Sequence, residues 1–93
     1  MYEVRPSSRF KRDVRTLAKR GYDMRLIEKV VKDLSDGKTL APKHRDHAMQ
    51  GRWVGHRNCH ITPDWVLLYK KDEEKDVLIL VLTRTGTHSD LSI

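Results

Sequence analysis

Apolar residues recur at helical spacing early in the chain and run in strand-like blocks later. Residues 2–5 alternate weakly, which predicts a short opening strand. From Ser7 or Ser8 the pattern turns helical, with Phe10, Val14, Leu17 and Ala18 at i, i+4, i+7 and i+8 on one face. A serine oxygen can accept from an unpaired N–H at the helix start, and Gly21 supplies the stop. The opposite face holds Arg9, Lys11, Arg12, Arg15 and Lys19. A second helix is predicted after Asp23, ending near Gly37, with Ile27, Val30, Val31 and Leu34 as its apolar positions. The short connection at Gly21-Tyr22 makes the two a helical hairpin. Residues 38–50, with Pro42 and little periodicity, read as an ordered loop.

From Gly51 the signal changes to strands. Arg52-Trp53-Val54 reads as a short one, His56 to Ile61 as the next, followed by a Thr62-Pro63-Asp64 turn. Trp65 to Lys70 is rich in β-formers, and Asp72-Glu73-Glu74-Lys75-Asp76 reads as a polar turn. Val77 to Leu82 is continuously apolar, as expected of a central strand covered on both faces. The order is strand, two helices, then three or four hairpin-linked strands. That predicts an α+β sandwich, with the helical hairpin covering one face of a mainly antiparallel sheet.

Composition narrows the function. Ninety-three residues are expected to form a single domain, 1–93, with a modest core. A net charge of +6 points to a polyanionic partner. No apolar run approaches the roughly 18 residues of a spanning helix, and no secretory signal opens the chain. The single cysteine, Cys59, fits a reducing cytoplasm and reads as an apolar strand residue rather than a nucleophile.

The candidate chemistry lies in the second half. His44, His47, His56 and His60 are followed by Asp64, and the apolar strand is followed by Arg84 and His88. His56, Asn58 and His60 share a parity and so face the same side of a strand. Metal-free RNA cleavage uses the ribose 2′-OH as nucleophile. It needs one group to take a proton, another to protonate the leaving 5′-oxygen, and a cation for the phosphorane. Histidine titrates near neutrality, and arginine can grip two phosphate oxygens at once. Taken singly, each histidine is better explained as a surface or hydrogen-bonding residue than as a catalyst. The His44-x-x-His47 and His56-x-x-x-His60 spacings invite zinc, but Cys59 faces away and no four-ligand set emerges, so no metal and no cofactor is expected. Trp53 and Trp65 suit a core, and the basic helix face suits solvent or an acidic partner. No helix-turn-helix or basic-zipper pattern supports autonomous DNA binding.

The stretch from Asp46-His47 through Gly51-Arg52-Trp53-Val54-Gly55 and His60-Ile61-Thr62-Pro63-Asp64-Trp65 resembles the YafQ-like toxins of the RelE superfamily. Met49 stands where leucine is usual, and Arg84-Thr85-Gly86-Thr87-His88 matches the R-T-G-T-H ending. The resemblance spans the whole length, and the helical hairpin and strand order also fit. It implies a ribosome-dependent mRNA endonuclease, the toxin of a type II toxin–antitoxin pair, with His47, His60, Asp64, Arg84 and His88 in the active site. Trp65 is implied to lie beside them as an RNA contact, and the basic helix face would neutralise rRNA phosphates. The implied partners are an acidic antitoxin, the ribosome and mRNA, with operator DNA reached only through the antitoxin. One departure stands out: the pattern carries a phenylalanine near the C-terminus, whereas this chain reads Leu91-Ser92-Ile93. A RelE-fold module that has lost catalysis and kept antitoxin or RNA binding is the alternative that departure raises.

Overall fold

A computed structural model describes all 93 residues. The opening strand β1 covers Glu3–Pro6. Helix α1 spans Ser8–Lys19, where the Ser7 hydroxyl accepts from the Phe10 N–H as the sequence suggested. Helix α2 spans Met24–Ser35 and is capped by Asp23, whose carboxylate accepts from the Arg25 N–H. Phe10, Leu17, Ile27, Val30 and Leu34 are buried, but Ala18 is exposed. The inward stripe of α1 is therefore Phe10, Asp13, Val14 and Leu17, rotated from the expected one and containing a carboxylate.

Beyond α2, a 3₁₀ turn at Pro42–His44 leads into a two-residue strand β2, His47–Ala48. The expected loop thus contributes a strand. The short strand expected at Arg52-Trp53-Val54 is instead a 3₁₀ turn, Gly51–Trp53. Gly51 and Gly55 bracket it at φ +67° and +89°, values that a β-ladder does not accommodate. Strand β3 is Arg57–Thr62, β4 is Trp65–Glu74, β5 is Val77–Gly86, and a short helix α3 covers His88–Leu91.

The predicted polar turn over Asp72–Asp76 shrinks to two residues, because β4 runs on to Glu74. Lys75 and Asp76, at φ +49° and +68°, form the hairpin turn. Two successive left-handed residues match the twist of the flanking strands, so the ladder extends further than composition suggests. The same extension leaves Val77 and Leu78 exposed, so β5 is fully covered only further along.

The sheet order is β1-β5-β4-β3-β2. β1 runs parallel to β5, and every other pairing is antiparallel. The helices pack on the face bearing Cys59, Ile61, Trp65, Leu67, Tyr69, Leu80 and Leu82. Alternation along β4 puts Val66 and Leu68 on the other face, where they too are fully buried. Cys59 is completely buried, and burial pushes its thiol up to about 12, so it stays protonated. No helix is long and apolar enough to cross a membrane.

Candidate active site

The tight turn between β3 and β4 and the short helix after β5 bring Asp64 and His88 together. Thr87 caps α3 in a reciprocal arrangement: its hydroxyl accepts from the Asp90 N–H, and Asp90 accepts from the Thr87 N–H. That cap requires a close approach at Gly86, where a Cβ would lie 3.0 Å from the Cβ and Oδ2 of Asp90. Arg20 of the helical hairpin bonds the same Asp90 carboxylate at 2.8 Å and lowers its pKa from the ordinary value.

With α3 fixed, His88 Nδ1 lies 2.8 Å from Asp64 Oδ1. A carboxylate can only accept, so Nδ1 carries the hydrogen and Nε2 is left with no protein partner. The hydrogen bond from His88 lowers the Asp64 carboxyl, keeping it ionised. The His60 ring meets the His88 ring edge to face, with centroids 5.2 Å apart. Burial lowers the His60 pKa, and the nearby charges of His88, Arg45 and His47 lower it further, so the ring is neutral at neutral pH.

His47 sits on the edge strand β2, opposite Asn58 in register and on the same side as His60. Its Nδ1 donates to the Arg45 carbonyl at 2.7 Å, leaving Nε2 free. His44 plays a structural part, since its Nδ1 donates to the His60 carbonyl at 2.6 Å and fixes the loop against β3. Asp46 anchors the other side of that loop by accepting from the Tyr69 hydroxyl at 2.7 Å. His56, which shares the parity of His60, bonds the Thr83 hydroxyl through Nε2 at 3.1 Å and packs on Trp53.

The structure therefore gathers His47, His60, Asp64 and His88 and treats the other two candidates differently. Trp65, expected as an RNA contact, is 1% exposed. Its indole N–H donates to the Thr85 hydroxyl at 2.9 Å and its ring meets Tyr22 edge-on, so it is a core residue with no face for a base. Arg84 is drawn into an ion pair with Asp13 of α1, its Nε at 2.8 Å and Nη2 at 3.2 Å from the carboxylate. Asp13 was not singled out from the sequence, although its place inside an apolar helical stripe was a signal that it had a partner. Arg9, Lys11, Arg12, Arg15 and Lys19 are all exposed on α1. No group of three or more His, Cys, Asp or Glu side chains is arranged to hold a metal ion.

Residues 2–93 match the family model described as a bacterial toxin of type II toxin–antitoxin systems, YafQ. The chain belongs to the YafQ toxin family. The mRNA interferase toxin YafQ of Escherichia coli K12 is 33% identical over 90 residues, covering 96% of this chain and 94% of that protein. Among solved structures, the E. coli DinJ–YafQ toxin–antitoxin complex matches with a TM-score of 0.84 at 34% identity, covering 97% of this chain and 96% of the YafQ-like one. A metal-bound toxin from Helicobacter pylori matches with a TM-score of 0.88 at 37% identity, covering 98% and 99%. The α+β architecture read from periodicity is the fold that these YafQ toxins share.

Proposed function

We propose that residues 1–93 form one catalytic domain that cleaves mRNA on the ribosome by acid–base chemistry, so arresting translation in the cytoplasm. The observation that carries this reading is the Asp64–His88–His60 arrangement. Asp64 fixes the His88 tautomer and leaves Nε2 as that ring's one group for proton transfer. The edge-to-face neighbour, His60, is held neutral and suits the base. His60 takes the proton of the ribose 2′-OH as that oxygen attacks phosphorus. Protonated His88 gives its Nε2 proton to the departing 5′-oxygen, leaving a 2′,3′-cyclic phosphate and a free 5′-hydroxyl. Arg84 stabilises the extra negative charge on the phosphorane, and His47 presents its free Nε2 at the rim. Asp64 thus orients its neighbour rather than moving a proton itself.

The exposed basic face of α1 supplies phosphate neutralisation on rRNA. An acidic antitoxin segment would compete for it, and contact with operator DNA would come through that antitoxin. A rival reading, binding without cleavage, is favoured by the Leu91-Ser92-Ile93 ending, where Leu91 is buried and supplies no aromatic surface. Inducing the protein alone in a bacterial host separates the two. Growth arrest with cut transcripts is expected, with cleavage on translating ribosomes lowered about 10²–10⁴-fold in His88→Ala. No toxicity and no cleavage by the wild type would sink the enzymatic reading.

A further inference from the structure

Asp13 is a carboxylate in the inward stripe of α1, with 11% of its side chain exposed. It accepts from Arg84 Nε and Nη2 and also from the Thr85 N–H at 3.1 Å. A charge this covered persists because it is paired. A guanidinium has two edges able to bond two oxygens at once: one formed by Nε–H and a terminal nitrogen, the other by the two terminal nitrogens. Asp13 takes the first. No protein atom bonds Arg84 Nη1, so the second is uncommitted.

Two further features favour an outward-facing role for that second edge. The β4–β5 register passes from Leu68↔Arg84 to Tyr69↔Leu82, leaving Thr83 without a partner. Such a bulge re-aims the side chain beside it. Arg84 also lines a polar cleft of about 160 Å³ with Arg9, Asp13, Thr16, Arg20 and Asp90.

We propose that Asp13 is a positioning residue, holding Arg84 by its inner edge so that its outer edge grips two oxygens of the RNA phosphate undergoing cleavage. This rests on the endoribonuclease reading above. Without Asp13 the arginine keeps its charge but samples other rotamers, and misplacement of about 1 Å can cost about 10²-fold in rate. The ion pair that looks like competition for the phosphate is on this view what aims the cation.

The test is single-turnover cleavage of mRNA on translating ribosomes by Asp13→Asn, Arg84→Ala and the double variant. Asn keeps the shape and an acceptor for the Thr85 N–H while losing the charge and the paired grip. Asp13→Asn is expected to lower the rate about 10²-fold with half-saturation unchanged, and to add less than about twofold once Arg84 is alanine. An equal loss in both backgrounds, or a wild-type rate, would overturn the proposal. If Asp13→Asn does not fold, Arg84→Lys decides: lysine has no second edge, so it should be as slow as Arg84→Ala, and near-wild-type cleavage would overturn the idea. The Arg84 Nε–H resonance of the free wild-type protein should exchange slowly with solvent, and fast exchange counts against it. A wild type that cuts nothing on ribosomes defeats the endoribonuclease reading itself, while the Nε–H measurement still reports on the pairing.

Discussion

His88 and Arg84, four residues apart, are each held by a carboxylate from another part of the chain, and the two pairs are built to opposite specifications. In the Asp64–His88 pair the side chains are 74% and 38% exposed, at a turn and a short helix. In the Asp13–Arg84 pair they are 11% and 18% exposed, between a helix and the sheet. An exposed pair contributes little to stability but lets protons come and go. A covered pair between a carboxylate and an always-charged guanidinium cannot shuttle protons, but it holds geometry. On the proposed mechanism, the C-terminal segment thus separates proton traffic from charge placement.

The sharpest way to break this contrast is at Asp64. Asp64→Asn should lower single-turnover cleavage about 10²-fold by freeing the His88 tautomer and ring, with the thermal transition only slightly lowered because both partners are exposed. A variant that melts early would mean that this pair is structural after all. The covered pair should behave the other way. Arg84→Ala leaves the Asp13 carboxylate without its main partner and is expected to cost about 1–3 kcal/mol of unfolding free energy, read in urea titrations. Little change there would remove the distinction.

The smallest expected effect is on acidification. His60 and Asp64 both have folded-state pKa values lowered from their ordinary ones. The unfolded chain therefore binds more protons in each window, so stability rises with pH and is lost as pH falls. His60, together with His56, opens that loss below pH of about 6.5, and Asp64, with the similarly lowered Asp23, Asp33 and Asp90, extends it below about 3.9. His60→Gln should shrink the first step without abolishing it, because burial lowers His56 as well, and should leave the second, as followed by melting temperature against pH.

Periodicity carried most of the fold. The helical hairpin was legible because Phe10, Val14 and Leu17, and then Ile27, Val30 and Leu34, repeat at one helical face. Local signals failed where a backbone angle or a distant partner decides. Arg52-Trp53-Val54 has strand composition but lies between two left-handed glycines. Asp72–Glu74 has turn composition but is carried into the β4–β5 ladder by pairing with Val77, Leu78 and Ile79. The two-residue strand that presents His47 is too short for any period. At the site, parity placed His60 on a shared face, and the Thr62-Pro63-Asp64 turn put a carboxylate within reach. What no spacing could show was which base each carboxylate would choose. The residue that holds Arg84 lies 71 positions away in sequence, and Trp65, though next to Asp64, points into the core.

The parallel pairing of β1 with β5 has a consequence for the order of events during synthesis. The first strand made has no neighbour in the sheet until one of the last arrives, with Glu3 waiting for Ile79. Contacts this distant form slowly. Arg84 and His88 lie later still, so a nascent chain halted before Val77 has neither a closed sheet nor a complete set of candidate groups. An mRNA interferase toxin built this way would be harmless for most of the time it takes to make.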